Sequence, residues 1–298
     1  SFPGSGHADR VMKAVSLEIQ PGKAQWWSNG NVKIDDDEKV NNAIYLNPPA
    51  PGKVKVALSF AGFLKPVTLA ANLTPYVPKV AGGAFRFPLS AGDMRIGENA
   101  RGSAVHWANG GGAGHQIFAH DIGVAGWDSA KKKLSSTLPK TTGKKNDHFR
   151  IWGKPVRAMA DGVVESWKDG VKTNTAIGKM PKPTPSPVAG NHFWIRHGDV
   201  SIPYAHLQKG TLPKKLMKAG APVKAGATLG KAGNSGNSSG PHLHVHAKGT
   251  DAQTSLRPLP LQDAWVVTQN SLKPPSPEGP WVRLLKQGIP ADSVNIWS

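Results

Sequence analysis

The run Ser239-Gly240-Pro241-His242-Leu243-His244 places two histidines two positions apart. On a β-strand such residues point to the same face, about 7 Å apart. One imidazole could then bind a metal while the other reaches a water or substrate oxygen beside it. The glycine- and serine-rich residues 233–240 before the pair predict a turn that delivers the strand to an open rim. The spacing also fits two ordinary surface histidines, so it does not decide between these interpretations alone.

Two further segments carry residue types that could join such a site. The run Tyr204-Ala205-His206-Leu207 contains one histidine in an apolar setting, where a buried structural histidine is the simpler interpretation. The run His115-Gln116-Ile117-Phe118-Ala119-His120-Asp121 offers a histidine and a carboxylate close together. With one more histidine they would give three protein ligands and an open position, which is the pattern of catalytic zinc.

The composition limits what can hold a metal and what the protein can bind. The chain has no cysteine, so disulfides and thiolate ligands are excluded and imidazole and carboxylate groups remain. Its formal charge of +18 favours polyanionic surroundings, such as nucleic acid, anionic lipid or an acidic cell-wall polymer. Neither a basic helix nor an aromatic stacking motif accompanies the charge, so we expect no nucleic-acid partner. We also expect no transmembrane segment, because no apolar run approaches about 20 residues.

The elements that must position these residues are predicted to be mainly β. The chain of 298 residues contains 34 glycines and 26 prolines, which favours short strands joined by turns. Strands are predicted at Val54–Phe60, Val163–Trp167, His192–Arg196 and His242–His246. Only Pro213–Ala219 resembles a short helix, whereas Lys131–Lys145 and Lys179–Pro187 have the composition of surface loops. We predict an N-terminal β module (1–95), an antiparallel β-sheet catalytic domain (96–255) and a Pro-rich C-terminal extension packed on the core (256–298).

Taken in order, the motifs resemble the lysostaphin-like (LytM-type) family of bacterial zinc endopeptidases. The resemblance runs from about His115 to Ala247. It is carried by Gly153-Lys154-Pro155-Val156-Arg157-Ala158-Met159-Ala160-Asp161-Gly162-Val163-Val164, Gly190-Asn191-His192-Phe193-Trp194-Ile195-Arg196-His197-Gly198, Tyr204-Ala205-His206-Leu207, Val223-Lys224-Ala225-Gly226-Ala227-Thr228-Leu229-Gly230 and Gly240-Pro241-His242-Leu243-His244.

The resemblance implies a role for each matching position. His244 corresponds to a metal ligand, and His242 and His206 to the two catalytic histidines that do not bind the metal. Asn191 matches a position that lines the cleft and is expected to orient substrate. His197 matches a position that looks structural, and His246 is expected to share a strand face with the site without joining it.

The remaining metal ligands follow less directly from the resemblance. Asp121 fits the family's aspartate, but the position four residues earlier, where the family has a histidine, is Ile117, which cannot bind a metal. We choose His115 as the third ligand, with His120 second and His106 third.

By this resemblance the chain is expected to be a zinc-dependent endopeptidase that cleaves the stem peptides or cross-bridges of bacterial peptidoglycan, with one Zn²⁺ per chain. The expected protein is monomeric and secreted or periplasmic, although this chain shows no signal peptide. The alternative is a non-catalytic domain of the same fold that binds cell wall or regulates a partner hydrolase.

Overall fold

The structure, a computed structural model, describes residues 52–58, 67–73, 77–103, 119–250, 256–257, 259–262, 264–268, 282–284 and 294–297. Within these ranges the protein is mainly antiparallel β and contains no α-helix. This confirms the predicted fold class. Single 3-10 turns lie at Ala81–Gly83, Ala91–Asp93, Asn146–His148 and Lys214–Leu216.

The strands are numbered in chain order. They are β1 (Gly52–Leu58), β2 (Val67–Leu73), β3 (Phe85–Arg86), β4 (Glu98–Ser103), β5 (His120–Asp128), β6 (Lys133–Ser135), β7 (Pro155–Arg157), β8 (Gly162–Lys168), β9 (Asn191–His197), β10 (Val200–Leu207), β11 (Pro222–Val223), β12 (Thr228–Lys231), β13 (Leu243–Val245), β14 (Ala247–Gly249), β15 (Leu256–Arg257), β16 (Leu261–Gln262), β17 (Ala264–Thr268), β18 (Val282–Leu284) and β19 (Val294–Trp297).

One large sheet orders the strands that carry the candidate residues. Among the described residues its main path runs β11-β8-β9-β10-β13-β5-β4-β19-β17-β18. Strand β13 lies between β10 and β5 and is antiparallel to both. The sheet therefore gathers histidines and an aspartate from three separate parts of the chain onto neighbouring strands.

The core lies against this sheet and includes residues from outside the predicted catalytic range. Phe85, Phe87 and Leu89 are buried in the same cluster as Val156 and Ile195. Strand β3 pairs in parallel with β16, so residues before position 95 and after position 256 contribute to one core. The division into three domains stays a prediction, but these residues are part of the central packing.

The two ends of the chain differ in how they join the sheet. Strands β1 and β2 form a separate antiparallel pair. Strand β19 instead pairs with β4 and extends the large sheet. The role predicted for the N-terminal β module stays a prediction.

A buried cluster of charges ties β4 to the segment before β7. The Glu98 side chain is 1% exposed and accepts from Arg150 Nη1 at 3.1 Å and from Lys154 Nζ at 2.9 Å. Burial by itself would raise the pKa of Glu98, but hydrogen bonds from Lys154, the Arg95 backbone and Arg150 outweigh it and lower the pKa below its ordinary value. Glu98 is therefore held as a carboxylate inside the protein.

The local predictions differ from the structure in two places. Within Pro213–Ala219 only Lys214–Leu216 is helical, as a single 3-10 turn, because Met217 (φ −76°, ψ 52°) already leaves the helical conformation. The predicted loop Lys131–Lys145 contains strand β6, which pairs with the end of β5 as a hairpin. Alternation in a strand of three residues is too short to be read from sequence. Lys179–Pro187 is a loop, as predicted.

Candidate active site

Strand register brings Asp121 and His244 face to face. Asp121 on β5 is the direct antiparallel partner of His244 on β13. On its other side, β13 pairs with β10 through Ala205 and His244. Side chains opposite each other in an antiparallel pair share a face and lie close enough to interact. The sequence elements that were predicted separately thus meet across adjacent strands.

Asp121 lies at the centre of the group. Its Oδ1 lies 2.8 Å from Nδ1 of His244 and 3.5 Å from Nε2 of His242. The His244 side chain is 8% exposed, whereas those of His242 and Asp121 are 22% and 28% exposed. His244 is therefore buried, whereas Asp121 and His242 are partly open to solvent.

His206 reaches the group because β10 bulges. Ala205 and His206 lie opposite the single position His192 of β9, where the register shifts between Tyr204 and Leu207. His206 has a φ of 63°, a left-handed conformation that costs a residue other than glycine free energy. The bulge turns the imidazole so that its ring centre lies 4.7 Å from that of His242 and 5.9 Å from that of His244.

Backbone carbonyls fix the same tautomer in both candidate catalytic histidines. His206 Nδ1 lies 2.8 Å from the carbonyl oxygen of Ser235, and His242 Nδ1 lies 2.8 Å from that of Gly240. A carbonyl oxygen only accepts, so each Nδ1 donates a proton. In each neutral ring, Nε2 then holds a lone pair that can accept a proton.

The environment keeps His206 neutral. Burial lowers its pKa well below the ordinary value, and the nearby His242 and His244 lower it further. The bond to Ser235 and the charge of Asp121 act in the opposite direction but do not outweigh burial. His206 is therefore a neutral imidazole with an available Nε2 at neutral pH.

Asn191 supports the site from within the core. It is fully buried, its Nδ2 donates to the carbonyl oxygens of Val171 and Leu207, and its Oδ1 accepts from the Val171 backbone. Its backbone N–H donates to Ser235 Oγ, which donates in turn to the Leu207 carbonyl. These bonds hold the Ser235 loop whose carbonyl orients His206. The expected substrate contact of Asn191 stays a prediction.

Close packing explains the glycine in this loop. Gly236 has a φ of 73°, and a Cβ at this position would collide with the backbone nitrogen of Gly190. Only glycine allows the loop to approach residue 190 while presenting the Ser235 carbonyl to His206.

His197 is buried away from this group. Its Nε2 lies 2.9 Å from the Tyr204 hydroxyl, and its Nδ1 lies 3.1 Å from the Asp161 carbonyl oxygen. Burial lowers its pKa to about 4. These contacts join β9 to β10 and to the turn before β8.

The three candidates for the remaining ligand have different outcomes. His115 and His106 lie outside the described residues. His120 precedes Asp121 on β5 and therefore points to the opposite face of the strand. It is 6% exposed, and its cross-strand partner, Val245, belongs to the core. The structure therefore does not bring His120 to the face that carries Asp121 and His244.

The donor types present fit zinc, although the described set is incomplete. Asp121 supplies a carboxylate and His244 an imidazole, both of which zinc accepts in catalytic sites. The described residues include no group of three histidine, aspartate or glutamate side chains that could hold a metal ion. The third predicted ligand, His115, would have to complete the set.

One contact was not expected from the sequence. His246 Nδ1 lies 3.0 Å from His244 Nε2, and the two ring centres are 5.2 Å apart. Alternation places residues 242, 244 and 246 on one face, which was the available signal. Sequence reasoning did not show that the two rings would bond to each other.

Comparison with known proteins finds a family match over part of the chain. Residues 147–256 match the model of peptidase family M23. The matched span contains His206, His242, His244 and His246 and begins after Asp121. The described residues include no helix long and apolar enough to span a membrane.

Curated relatives match over a limited part of their length. The peptidoglycan DD-endopeptidase ShyC of Vibrio cholerae is 37% identical over 123 residues, which cover 41% of this chain and 24% of that protein. The peptidoglycan DD-endopeptidase ShyA of Vibrio cholerae is 34% identical over 31% of this chain and 17% of that protein. An uncharacterized metalloprotease of Haemophilus influenzae is 39% identical over 31% of this chain and 15% of that protein. The chain thus spans at most about a quarter of these relatives.

Two solved structures also show similarity. A catalytic-domain variant of the prophage-encoded M23 protein EnpA from Enterococcus faecalis is 23% identical, with a TM-score of 0.24 over 42% of this chain and 85% of that one. A zinc-containing peptidase from Vibrio cholerae is 19% identical, with a TM-score of 0.22 over 47% of this chain and 49% of that one.

Proposed function

We propose that this chain is a zinc-dependent endopeptidase that hydrolyses peptide bonds in bacterial peptidoglycan, since residues 147–256 match the model of peptidase family M23. The observation that carries the proposal is the cluster formed by Asp121, His244 and His206 on three neighbouring strands and by His242 just before β13. It combines metal-binding donor types with two imidazoles that have the same protonation pattern.

Asp121 and His244 would hold the metal together with His115. Bound there, zinc would lower the pKa of a water molecule and polarise the scissile carbonyl. The partial exposure of Asp121 and His242 leaves this side of the group accessible from solvent. The protein contributes the placement of these groups by pairing β13 with β5.

His206 and His242 would move the protons of the reaction. Amide hydrolysis needs one group to accept a proton from water and another to donate one to the leaving nitrogen. The Nε2 atoms of both rings can perform this exchange, since each Nδ1 is bonded to a backbone carbonyl. A histidine that carries the proton can also stabilise the negative oxygen of the tetrahedral intermediate.

The proposed substrate is supported by the relatives and by charge. Two of them are named peptidoglycan DD-endopeptidases. The net charge of +18 would concentrate the protein near carboxylate-rich cell wall. We propose a monomeric protein acting outside the cytoplasmic membrane, where this substrate lies.

The test is digestion of purified peptidoglycan by the wild type and His244→Ala, with and without a chelator, followed by mass analysis of released peptides. The proposal expects peptide-bond cleavage that the chelator abolishes and added zinc restores. His244→Ala should lose cleavage and bound zinc, whereas the exposed-surface variant Lys224→Ala should retain both. Cleavage that persists under chelation would contradict the metal mechanism. Wall binding without cleavage would indicate the non-catalytic alternative.

A further inference from the structure

We propose that His246 is a positioning residue that holds the imidazole of His244 so that its Nδ1 faces the metal position. The inference rests on the proposed function, because it assigns His244 to metal binding. The observation behind it is the contact of 3.0 Å between Nε2 of His244 and Nδ1 of His246.

The two nitrogens of His244 have separate partners. Nδ1 faces Asp121 Oδ1 at 2.8 Å, and Nε2 faces His246 at 3.0 Å. A histidine that binds a metal through Nδ1 carries its proton on Nε2, and that N–H needs an acceptor. His246 Nδ1 is placed to accept it. The bond fixes both the ring orientation and the tautomer of His244.

His246 is itself held in place by its surroundings. It is 8% exposed, and the edge of its ring meets Trp194 of β9 with ring centres 5.5 Å apart and planes at 82°. His246 lies between β13 and β14, which both pair with β10. A residue fixed on two sides can orient its neighbour, whereas a mobile surface histidine could not.

The arrangement also specifies which way the proton of the bond points. When His244 binds metal through Nδ1, His244 Nε2–H donates to His246 Nδ1, so the neutral His246 carries its own proton on Nε2. When no metal is bound and His244 Nδ1–H donates to Asp121, the neutral His244 accepts at Nε2 and His246 donates from Nδ1. Zinc binding therefore reverses the direction of this hydrogen bond.

The experiment measures zinc affinity and histidine tautomers in the full chain. Zinc alone is the probe, in competition with a fluorescent chelator. His246→Phe keeps a buried ring and removes the acceptor, and His246→Asn keeps a polar oxygen at a similar reach. His192→Phe is the matched control, because its buried ring bonds to the Gly190 carbonyl and not to His244. Thermal unfolding of each variant checks that the fold is kept.

We expect His246→Phe to weaken zinc binding about 10- to 100-fold, as loss of outer-shell partners does. His246→Asn should recover part of this loss, and His192→Phe should bind zinc like the wild type. Long-range ¹H–¹⁵N spectra of the wild type should show the His246 proton moving from Nδ1 to Nε2 on addition of zinc.

Three results would overturn the inference: unchanged zinc affinity in a folded His246→Phe, equal losses in His246→Phe and His246→Asn, or a His246 tautomer that zinc does not change. Each of these leaves the proposed endopeptidase intact if the wild type binds zinc and cleaves peptidoglycan. A wild type that binds no zinc would remove the proposed function and this inference together. A wild type that binds zinc without cleaving would remove the proposed activity alone.

Discussion

At the scale of single residues, the backbone of His206 links the proposed catalysis to stability. Its φ of 63° lies in the region that glycine tolerates and other residues adopt at a cost. The bulge that imposes this conformation is also what turns the ring towards His242. The site therefore uses a strained position to place one of its two imidazoles.

Replacing His206 with alanine or glycine should separate these two effects. Both variants remove the imidazole, so we expect peptidoglycan cleavage to fall by about 10² to 10⁴-fold. Zinc binding should be kept, since His206 is not a proposed ligand. His206→Gly should have a free energy of unfolding up to about 1 kcal/mol higher than His206→Ala, because glycine accepts a positive φ. It should therefore unfold at a higher denaturant concentration. Cleavage assays and urea unfolding measure both, and a more stable alanine variant would argue against strain.

Single residues also show how far sequence reasoning reached. Asp121, His206, His242 and His244 were chosen from motifs, and the structure brings all four together. The motif around Gly240-Pro241-His242-Leu243-His244 is local, so strand alternation was enough to predict a shared face. The Ser235 carbonyl could not be assigned, because a backbone acceptor leaves no residue signature. Alternation placed His246 on the shared face but did not show that its ring bonds to His244.

At the scale of elements, the buried charges around Glu98 join β4 to the segment that leads into β7. Arg150 Nε donates to the carbonyls of Ser135 and Thr137, and Lys154 Nζ donates to that of Asp93. One carboxylate thus faces two cations whose other bonds reach two further segments of the chain. The cluster holds the strands beside β5 in register.

Removing the Glu98 carboxylate should destabilise the protein strongly. In Glu98→Gln, the two cations remain buried without a compensating charge, which costs about 3–5 kcal/mol. Lys224→Ala is the control, because the pair between Lys224 and Asp161 lies on the surface and should leave stability near that of the wild type. Chemical unfolding of the three proteins at neutral pH tests this, and equal stability of Glu98→Gln and the wild type would contradict it.

Elements were predictable where their pattern is long and local. Strands β8 and β9 lie where strand-like runs were predicted, and the loop Lys179–Pro187 follows from its prolines. The parallel pairing of β3 with β16 had no such signal, because each strand has two residues and they lie far apart in the chain. The burial of Phe85 by this pairing depends on tertiary contacts that local sequence does not encode.

At the scale of the whole molecule, 37 basic residues against 19 acidic ones give the chain a net charge of +18. The lysines at 131–133, 144–145 and 214–215 are exposed. Their charges act together over a screening distance of about 30 Å at 0.01 M salt and about 8 Å at 0.15 M. Affinity for an anionic polymer should therefore depend on ionic strength.

Raising the salt concentration should slow digestion of insoluble peptidoglycan several-fold between about 0.01 M and 0.15 M, because screening reduces long-range attraction. Cleavage of a short uncharged peptide fragment of the same substrate should change little, since the positive charge of the protein does not attract an uncharged fragment. Rates on both substrates across a salt series provide the measurement. Equal salt dependence on the two would show that the charge does not recruit the protein to the wall.

The parallel pair of β3 and β16 has a consequence for synthesis of the chain. Phe85 and Leu89 belong to a core that also contains Leu259 and Leu261, so this core cannot close until residue 261 has left the ribosome. Until then the growing chain carries Phe85 and Leu89 without their final partners, and nonlocal pairing of this kind forms slowly. We therefore expect the domain to complete its fold late in translation or after it, with its hydrophobic residues dependent on chaperones in the meantime.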